Sequence, residues 1–342
     1  MSDLLWTMDN YSPAFVILII FTALSFDFIN GFHDAANSIA TVVSTRVLKP
    51  HQAVLMAAFF NCIAGLFISV QVAKTIGTGI IDPSVVDNTL ILSTLGGAII
   101  WNLITWWMGL PSSSSHALIG GLIGAGIMKG GTEVLVWEGI IKTTFFIFLS
   151  PAIGLALGLF MMILVMNITQ RSESQVSRTN QIFKRLQLFS AAIYSTSHGM
   201  NDAQKTMGII ALVLFSSGYL GPTFYIPYWV EIICYLVIGA GTMAGGWRIV
   251  KTMGTKITKL EPVGGFCAET AAASAIIGAS LAGIPVSTTH TITGAIMGVG
   301  SARRLTAVRW WIAGNIVWAW VLTIPVSAAV SMALYFLWTR VV

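Results

Sequence analysis

The sequence predicts an all-α polytopic membrane protein built from two inverted-topology repeats, with broken helices and two re-entrant helical hairpins meeting near the membrane midplane. Three observations carry that expectation. Only 9% of the 342 residues are charged and 56% are hydrophobic, whereas a soluble domain carries about 25% charged residues; most of the surface must therefore face lipid. Two polar motifs occur twice, in the same order. The basic residues fall in loops that set the two copies antiparallel across the bilayer.

The elements follow from the apolar runs. Stretches approaching the roughly 20 residues that a spanning helix needs lie at 13–30, 53–72, 90–108, 140–166, 188–215, 228–246 and 310–338. Shorter runs lie at 116–128, 262–282 and 290–300, and several runs are interrupted by polar or Gly/Pro clusters. Asp3 and Asp9 precede the first run where a cleaved signal would carry basic residues, so that run is expected to be a permanent span. Cys62, Cys234 and Cys267 share no spacing and sit in apolar segments, as small core residues do.

The repeat is explicit. GFHDAANS, starting at Gly31, aligns with GMNDAQKT, starting at Gly199, at an offset of 168. PSSSSH, starting at Pro111, aligns with PVSTTH, starting at Pro285, at an offset of 174. At that second offset Gly120 meets Gly294, Gly124 meets Gly298, Trp137 meets Trp311 and Pro151 meets Pro325. Residues 1–166 form the first repeat, 167–187 a cytoplasmic linker and 188–342 the second repeat.

Charge placement orients the copies. Stretches 46–49, 171–185, 248–259 and 303–309 hold 13 Lys and Arg with Glu173 as their one acid, so the positive-inside bias puts them in the cytoplasm. The counterparts of the last two, around Lys74–Asp87 and Lys129–Glu133, fall outside. Each Pro-Ser/Thr motif is then entered and left from one side, as the tip of a re-entrant hairpin. Both termini come out periplasmic. The net charge of +5 is thus a topology signal and gives no reason to expect nucleic acid. Inverted repeats with discontinuous helices at the midplane are the architecture of secondary transporters.

Removing the loop charges leaves Asp27, Asp34, Lys142, Asp202, Lys205 and Glu269 at bilayer depth, where ionisable groups are costly and usually line a functional cavity. Asp34 and Asp202 are repeat equivalents and are expected to face each other. Lys205 stands where the first copy has Asn37; it either pairs with Asp202 or snorkels to the interface, or else it is a fixed positive charge near an anion or a surrogate for a cation. Lys142 follows Glu138 at i,i+4 and is expected to pair with it. Asp27, near the expected break, and Glu269, on a limb of the second hairpin, are candidate peripheral ion or proton sites.

The hydroxyls supply the other half of the chemistry. One hydroxyl is sufficient to cap a helix, whereas Ser112, Ser113, Ser114 and Ser115 supply four, and Ser287, Thr288 and Thr289 three. Two tips meeting at the midplane would direct helix N-terminal amides and hydroxyls into one cavity, which is an oxyanion site. Two carboxylates beside an anion call for a cation. The acids with Asn37 and Asn201 fit Na⁺, a proton or a divalent metal, and neither ion would be well held alone. His33 sits beside Asp34 where the second copy has Asn201, and imidazole titrates near neutrality, so His33 is a candidate proton acceptor. His116 and His290 open the hairpin helices, either as donors to nearby carbonyls or in contact with substrate.

At these residues the chain resembles a known family. GFHDAANSIAT, SHGMNDAQK, LPSSSSHALIGG and PVSTTHTITG are similar to the duplicated signatures of the inorganic phosphate transporter (PiT) family, in particular its short proteobacterial low-affinity members, and the similarity spans both halves. The resemblance implies inorganic phosphate, or a neutral metal–phosphate complex, as substrate, a co-transported cation, no other cofactor, a homodimer, and a multi-pass protein of the bacterial inner membrane. Asp34, Asn37, Asn201, Asp202, Ser113, Ser114, Ser115, Ser287, Thr288 and Thr289 fall on the family's ion and phosphate positions. His33 and Lys205 depart from the sodium-type pattern, which favours protons over Na⁺ as the coupling ion. The alternatives are a Na⁺-coupled phosphate symporter, a sulfate permease of the same architecture and, more remotely, an intramembrane hydrolase using Ser115 and His116. The first reading is a symporter, not an enzyme.

Overall fold

In the computed structural model, which describes residues 12–67, 70–169 and 176–341, the chain is helical almost throughout. Helix α1 (Pro13–Ser44) is followed by α2 (Pro50–Ile63), a 3₁₀ turn (Ala64–Phe67) and α3 (Gln71–Thr78). Then come α4 (Asn88–Met108), α5 (Ser114–Gly130) and α6 (Trp137–Thr169). The second half runs α7 (Val176–Ser216), α8 (Tyr228–Ala244), α9 (Trp247–Lys251, continued by a π turn over Thr252–Lys256), α10 (Pro262–Leu281), α11 (Thr288–Arg303) and α12 (Trp310–Val341). The last three begin 174, 174 and 173 residues after α4, α5 and α6. Residues 176–187 of the connection between the halves continue as helix, and 170–175 lie outside the described residues.

The two hairpin turns are built alike. Gly109 and Gly283 take positive φ (68° in both) and end α4 and α10. Leu110 N donates to Thr105 O and Gly109 N to Trp106 O; Ile284 N donates to Ala279 O and Gly283 N to Ser280 O. This is the Schellman stop, which needs a left-handed residue that glycine adopts without strain. Pro111 and Pro285 follow, and Ser113 and Ser287 cap the next helix, accepting from His116 N at 3.3 Å and His290 N at 3.2 Å.

The helices that follow have 17 and 16 residues. At 1.5 Å per residue each covers about 25 Å, short of the roughly 30 Å hydrocarbon core. α5 packs between α4 and α12, and α11 between α10 and α6, so each half's hairpin helix leans on the last helix of the other half. Glycines permit the approach. A Cβ on Gly120 would lie 2.6 Å from the Ile324 carbonyl oxygen, and one on Gly294 would strike the carbonyl of Pro151. α1 and α7 meet each other and take the partner half's helices on their flanks, α1 against α8 and α7 against α2.

Five helices among the described residues are long and apolar enough to cross a membrane, or seven if two bent pairs each count as one. The exposed Phe21, Trp107, Phe148, Phe189 and Trp318 suit a lipid-facing perimeter.

Three expectations are corrected. α1 and α7 run unbroken through the GFHDAANS and GMNDAQKT motifs. Those polar side chains face protein, so the backbone keeps its helical hydrogen bonds, and Gly31 and Gly199 serve close packing against Ile238 and Asn61. The breaks lie elsewhere: between α2 and α3, bent by 85°, and between α8 and α9, bent by 62° at Gly245 and Gly246. The single span expected at 53–72 is therefore two shorter helices. Among the described residues, Glu138 and Lys142 form no ion pair within 4 Å.

Candidate functional site

Helical spacing sets the acids in place. On α7, His198, Asp202 and Lys205 occur at i, i+4 and i+7, which puts them on one face. On α1, Asn30, Asp34 and Asn37 repeat that spacing at the offset of 168. All six are at most 2% exposed.

The hairpin tips close on these two faces. Asn37 Nδ2 donates to Thr289 Oγ1 at 2.8 Å, and the Thr289 hydroxyl donates to Asp34 Oδ2 at 3.3 Å. In the other half Lys205 Nζ donates to Ser115 Oγ, to Asp202 Oδ1 at 2.5 Å and to Val286 O at 3.2 Å, while Thr288 Oγ1 donates to Asp202 Oδ2 at 3.2 Å. Ser115 and Thr289 are equivalent at the offset of 174, as Asn37 and Lys205 are at 168. The two contacts are thus one interaction made twice, each time between one half's acid helix and the other half's tip.

His198 joins the two carboxylates, and the sequence analysis did not single it out. Its Nε2 lies 3.3 Å from Asp202 Oδ2 and 4.0 Å from Asp34 Oδ2. Its Nδ1 lies 3.2 Å from Asn61 Oδ1, and Asn61 Nδ2 donates in turn to Thr242 Oγ1 at 2.8 Å. With the Asn61 oxygen taken as acceptor, Nδ1 carries the ring proton, and Nε2 presents to the acids either a lone pair or a second proton. Asp34, His198 and Asp202 offer ligand atoms within 4.8 Å of one another, a geometry that could hold a metal ion. The available signal was the i,i+4 spacing of His198 to Asp202.

The remaining candidates separate. His33 Nδ1 meets Asp34 Oδ1 at 2.7 Å, and its Nε2 lies 3.2 Å from Thr105 Oγ1 and 3.4 Å from Ser112 Oγ. Ser112 donates to Thr105 Oγ1 at 2.8 Å, so it supports the histidine. Ser113 and Ser287 are helix caps. Ser114 Oγ is buried without a hydrogen-bond partner among the described residues. Asn201 turns to α10, donating to Ser280 Oγ at 2.9 Å.

Asp27 accepts from Thr206 Oγ1 at 2.8 Å, two turns along α1 from Asp34. Glu269 accepts from Gln187 Nε2 at 3.1 Å and from Ser190 Oγ. Neither bonds to the tips. The His116 and His290 rings meet edge to face at 4.5 Å, with His290 stacked on Trp320 at 3.9 Å, so they form an aromatic cluster between the hairpin helices.

What the centre offers is specific. In each tip the first intrahelical amide bond is donated four residues after the cap, by Ala117 to Ser113 O and by Thr291 to Ser287 O. The amides of Ser114, Ser115, Thr288 and Thr289 therefore precede the helical ladder. Four such donors with nearby hydroxyls are of the type that suits a tetrahedral oxyanion, and the acids, histidines and lysine lie beside the hydroxyls. A profile of the phosphate transporter family matches residues 30–331. The chain belongs to the phosphate transporter family.

A protein of Rhizobium meliloti (strain 1021) described as "Probable low-affinity inorganic phosphate transporter" is 58% identical over 94% of this chain and 97% of its own. One of the same description from Bacillus subtilis (strain 168) is 45% identical over 94% and 96%. Among solved structures, "The sodium-dependent phosphate transporter" superposes with a TM-score of 0.85 at 26% identity, covering 96% of this chain and all of that one. The protein is a multi-pass membrane transporter and not a hydrolase. Ser115 is bonded by Lys205, and the family is one of transporters.

Proposed function

We propose that the chain is a secondary active symporter that imports inorganic phosphate across the bacterial inner membrane, coupled to protons. The observation that carries this reading is the paired closure of hydroxyl-bearing helix starts on two symmetry-related aspartates: Thr289 on Asn37 and Asp34, and Ser115 and Thr288 on Lys205 and Asp202. The free amides at each tip bind the anion through partial positive charge and unmet donors. The aspartates remain compatible with it because each already faces a nitrogen: His33 at Asp34, Lys205 and His198 at Asp202.

Protons fit this charge pattern. At the positions flanking the aspartates one copy has Asn and the other a base or cation: Asn30 and His198, Asn201 and His33, Asn37 and Lys205. Each exchange replaces a neutral oxygen ligand with a nitrogen, an imidazole at His33 and His198 and an ammonium at Lys205, which disfavours an alkali ion. Phosphate also carries a proton of its own near pH 7, and its P–OH can donate to a carboxylate where sulfate cannot.

Residues 1–166 and 188–342 are read as inverted halves joined by the cytoplasmic connection, with both termini periplasmic, and the transporter as a homodimer. The orientation is supported by Arg309, which donates to the carbonyls of Thr255 and Lys256 at 3.5 and 3.4 Å and so brings two basic stretches to one face.

A second reading, coupling to Na⁺, is favoured by the sodium-dependent structural neighbour and by Asn37 Oδ1, which is buried and accepts no hydrogen bond among the described residues. A divalent ion travelling with phosphate would find ligands in Asp34, His198 and Asp202. Uptake of labelled phosphate into proteoliposomes, with pH, Na⁺ and divalent-metal gradients set independently, separates these. Uptake driven by an inward proton gradient without Na⁺ or metal is expected. Uptake that needs Na⁺ at every pH would replace the proton reading, and strong competition by sulfate would count against phosphate.

A further inference from the structure

The two halves of the site differ in how their aspartates are compensated, and one of the three differing positions carries a fixed charge: Lys205, where the first half has Asn37. We propose that the Lys205 ammonium is a resident cation: it permanently fills one of two pseudo-equivalent cation positions, so that the mobile coupling ion acts through the Asp34 half. The inference rests on the symport reading above and specifies how that site is made asymmetric.

The ammonium is fully matched. Lysine has three N–H donors and no acceptor, and Nζ meets three oxygens: the Ser115 hydroxyl, Asp202 Oδ1 and the Val286 carbonyl. A hydroxyl, a carboxylate and a backbone carbonyl are also the oxygen types that hold a hard cation. The three come from α5, α7 and the turn before α11, so the charge sits where both tips meet the acid helix. At 1% exposure bulk ions do not screen it.

The other half has the same frame without the charge. Asn37 occupies the equivalent position and makes the equivalent bond to Thr289 Oγ1, yet its Oδ1, buried at 1% exposure, has no partner among the described residues. Among the described residues Asp34 Oδ2 receives the Thr289 hydroxyl at 3.3 Å, with His198 Nε2 at 4.0 Å, and Oδ1 meets His33 Nδ1 at 2.7 Å. One carboxylate is thus compensated by a covalently attached cation, and the other faces the His33 and His198 rings and a spare amide oxygen.

Removing the attached cation should create a place for a free one. The test uses purified full-length protein in detergent, with thermal unfolding measured in NaCl against choline chloride at equal ionic strength. Wild type, Lys205→Asn and the double variant Asp202→Asn/Lys205→Asn are compared. Lys205→Asn should unfold at lower temperature in choline and be restored by Na⁺, with a saturable shift well above that of wild type. The double variant, which again has no uncompensated carboxylate in that half, should return to the wild-type shift.

In liposomes Lys205→Asn should carry one more positive charge per phosphate when Na⁺ is present. An Na⁺ shift in Lys205→Asn no larger than in wild type, or one that survives in the double variant, overturns the proposal. If Lys205→Asn does not fold, a folded double variant supports the charge argument. Failure of both would make Lys205 a structural tether and end the proposal. Because the unfolding measurement contains no phosphate, it stands apart from the symport reading, which fails if the wild type takes up no phosphate.

Discussion

Thr289→Val removes one hydroxyl and almost nothing else. The side chain keeps its shape, and the start of α11 is unaffected because Ser287, not Thr289, supplies the cap. Two bonds are lost: the one accepted from Asn37 Nδ2 at 2.8 Å and the one donated to Asp34 Oδ2 at 3.3 Å. Both partners are buried, so water does not replace the hydroxyl. Leaving the amide unmatched costs about 1 kcal/mol and weakening a carboxylate's bond about 1.5–3 kcal/mol, roughly 2.5–4 kcal/mol together. At 1.4 kcal/mol per factor of ten that is a loss on the order of a hundredfold in the population of the closed, ion-matched site. The assay is initial-rate uptake of labelled phosphate in proteoliposomes, read as maximal rate over half-saturation concentration, beside a thermal melt. Thr289→Ser should restore most of the loss. Ser287→Ala should lower the melt by the roughly 1 kcal/mol of a cap and change uptake far less. A Thr289→Val protein within threefold of wild type would show that closure of this tip on Asp34 is not part of transport.

Asp34→Asn and Asp202→Asn should each abolish uptake while the protein elutes and melts as a folded species; uptake above half of wild type in either would make the pair structural. His33→Asn should flatten the pH dependence of uptake, or shift it toward Na⁺, since the Asp34 carboxylate then loses the imidazole at 2.7 Å; an unchanged pH profile removes His33 from the coupling path. His198→Phe, which fills the space but offers no nitrogen to the two carboxylates, should eliminate uptake, and near-normal rates would reduce His198 to packing. Gly120→Ala places a methyl 2.6 Å from the Ile324 carbonyl oxygen and should destabilise the protein by about 1–3 kcal/mol; an unshifted melt would mean that α5 and α12 separate without penalty.

Much of this architecture was legible because duplication turns single residues into pairs. Pro111 with Pro285 and the hydroxyl runs behind them announce the same turn and cap twice, and the structure builds both from the same hydrogen bonds, adding Gly109 and Gly283 as the stops. The pairing of Asp34 with Asp202 was readable for the same reason. The continuity of α1 and α7 was not. A polar cluster in an apolar run looks like an interruption, and only the tertiary structure shows that Asn37 and Asp34 are met by Thr289 while the backbone stays helical. The true bends fall at Gly245 and Gly246 and in the stretch after α2, where glycines and a short 3₁₀ turn gave weaker signals than the charged motifs. Nor does a run of four serines reveal that one caps, one supports His33, one meets Lys205 and one has no partner among the described residues. Those roles depend on which face of a helix start meets which neighbour. His198 escaped notice because its counterpart is Asn30, so the repeat did not mark it as a titratable pair.

The central claim is that one anion is held between the two helix starts beside the aspartates, and a structure determined with arsenate tests it most directly. Arsenate has the shape and charge of phosphate, and its anomalous signal locates it independently of how the side chains are built. The account predicts a single peak within hydrogen-bonding distance of amides from both tips, Ser114 or Ser115 on one side and Thr288 or Thr289 on the other. A peak at one tip alone, or at the basic face around Arg309, would contradict it.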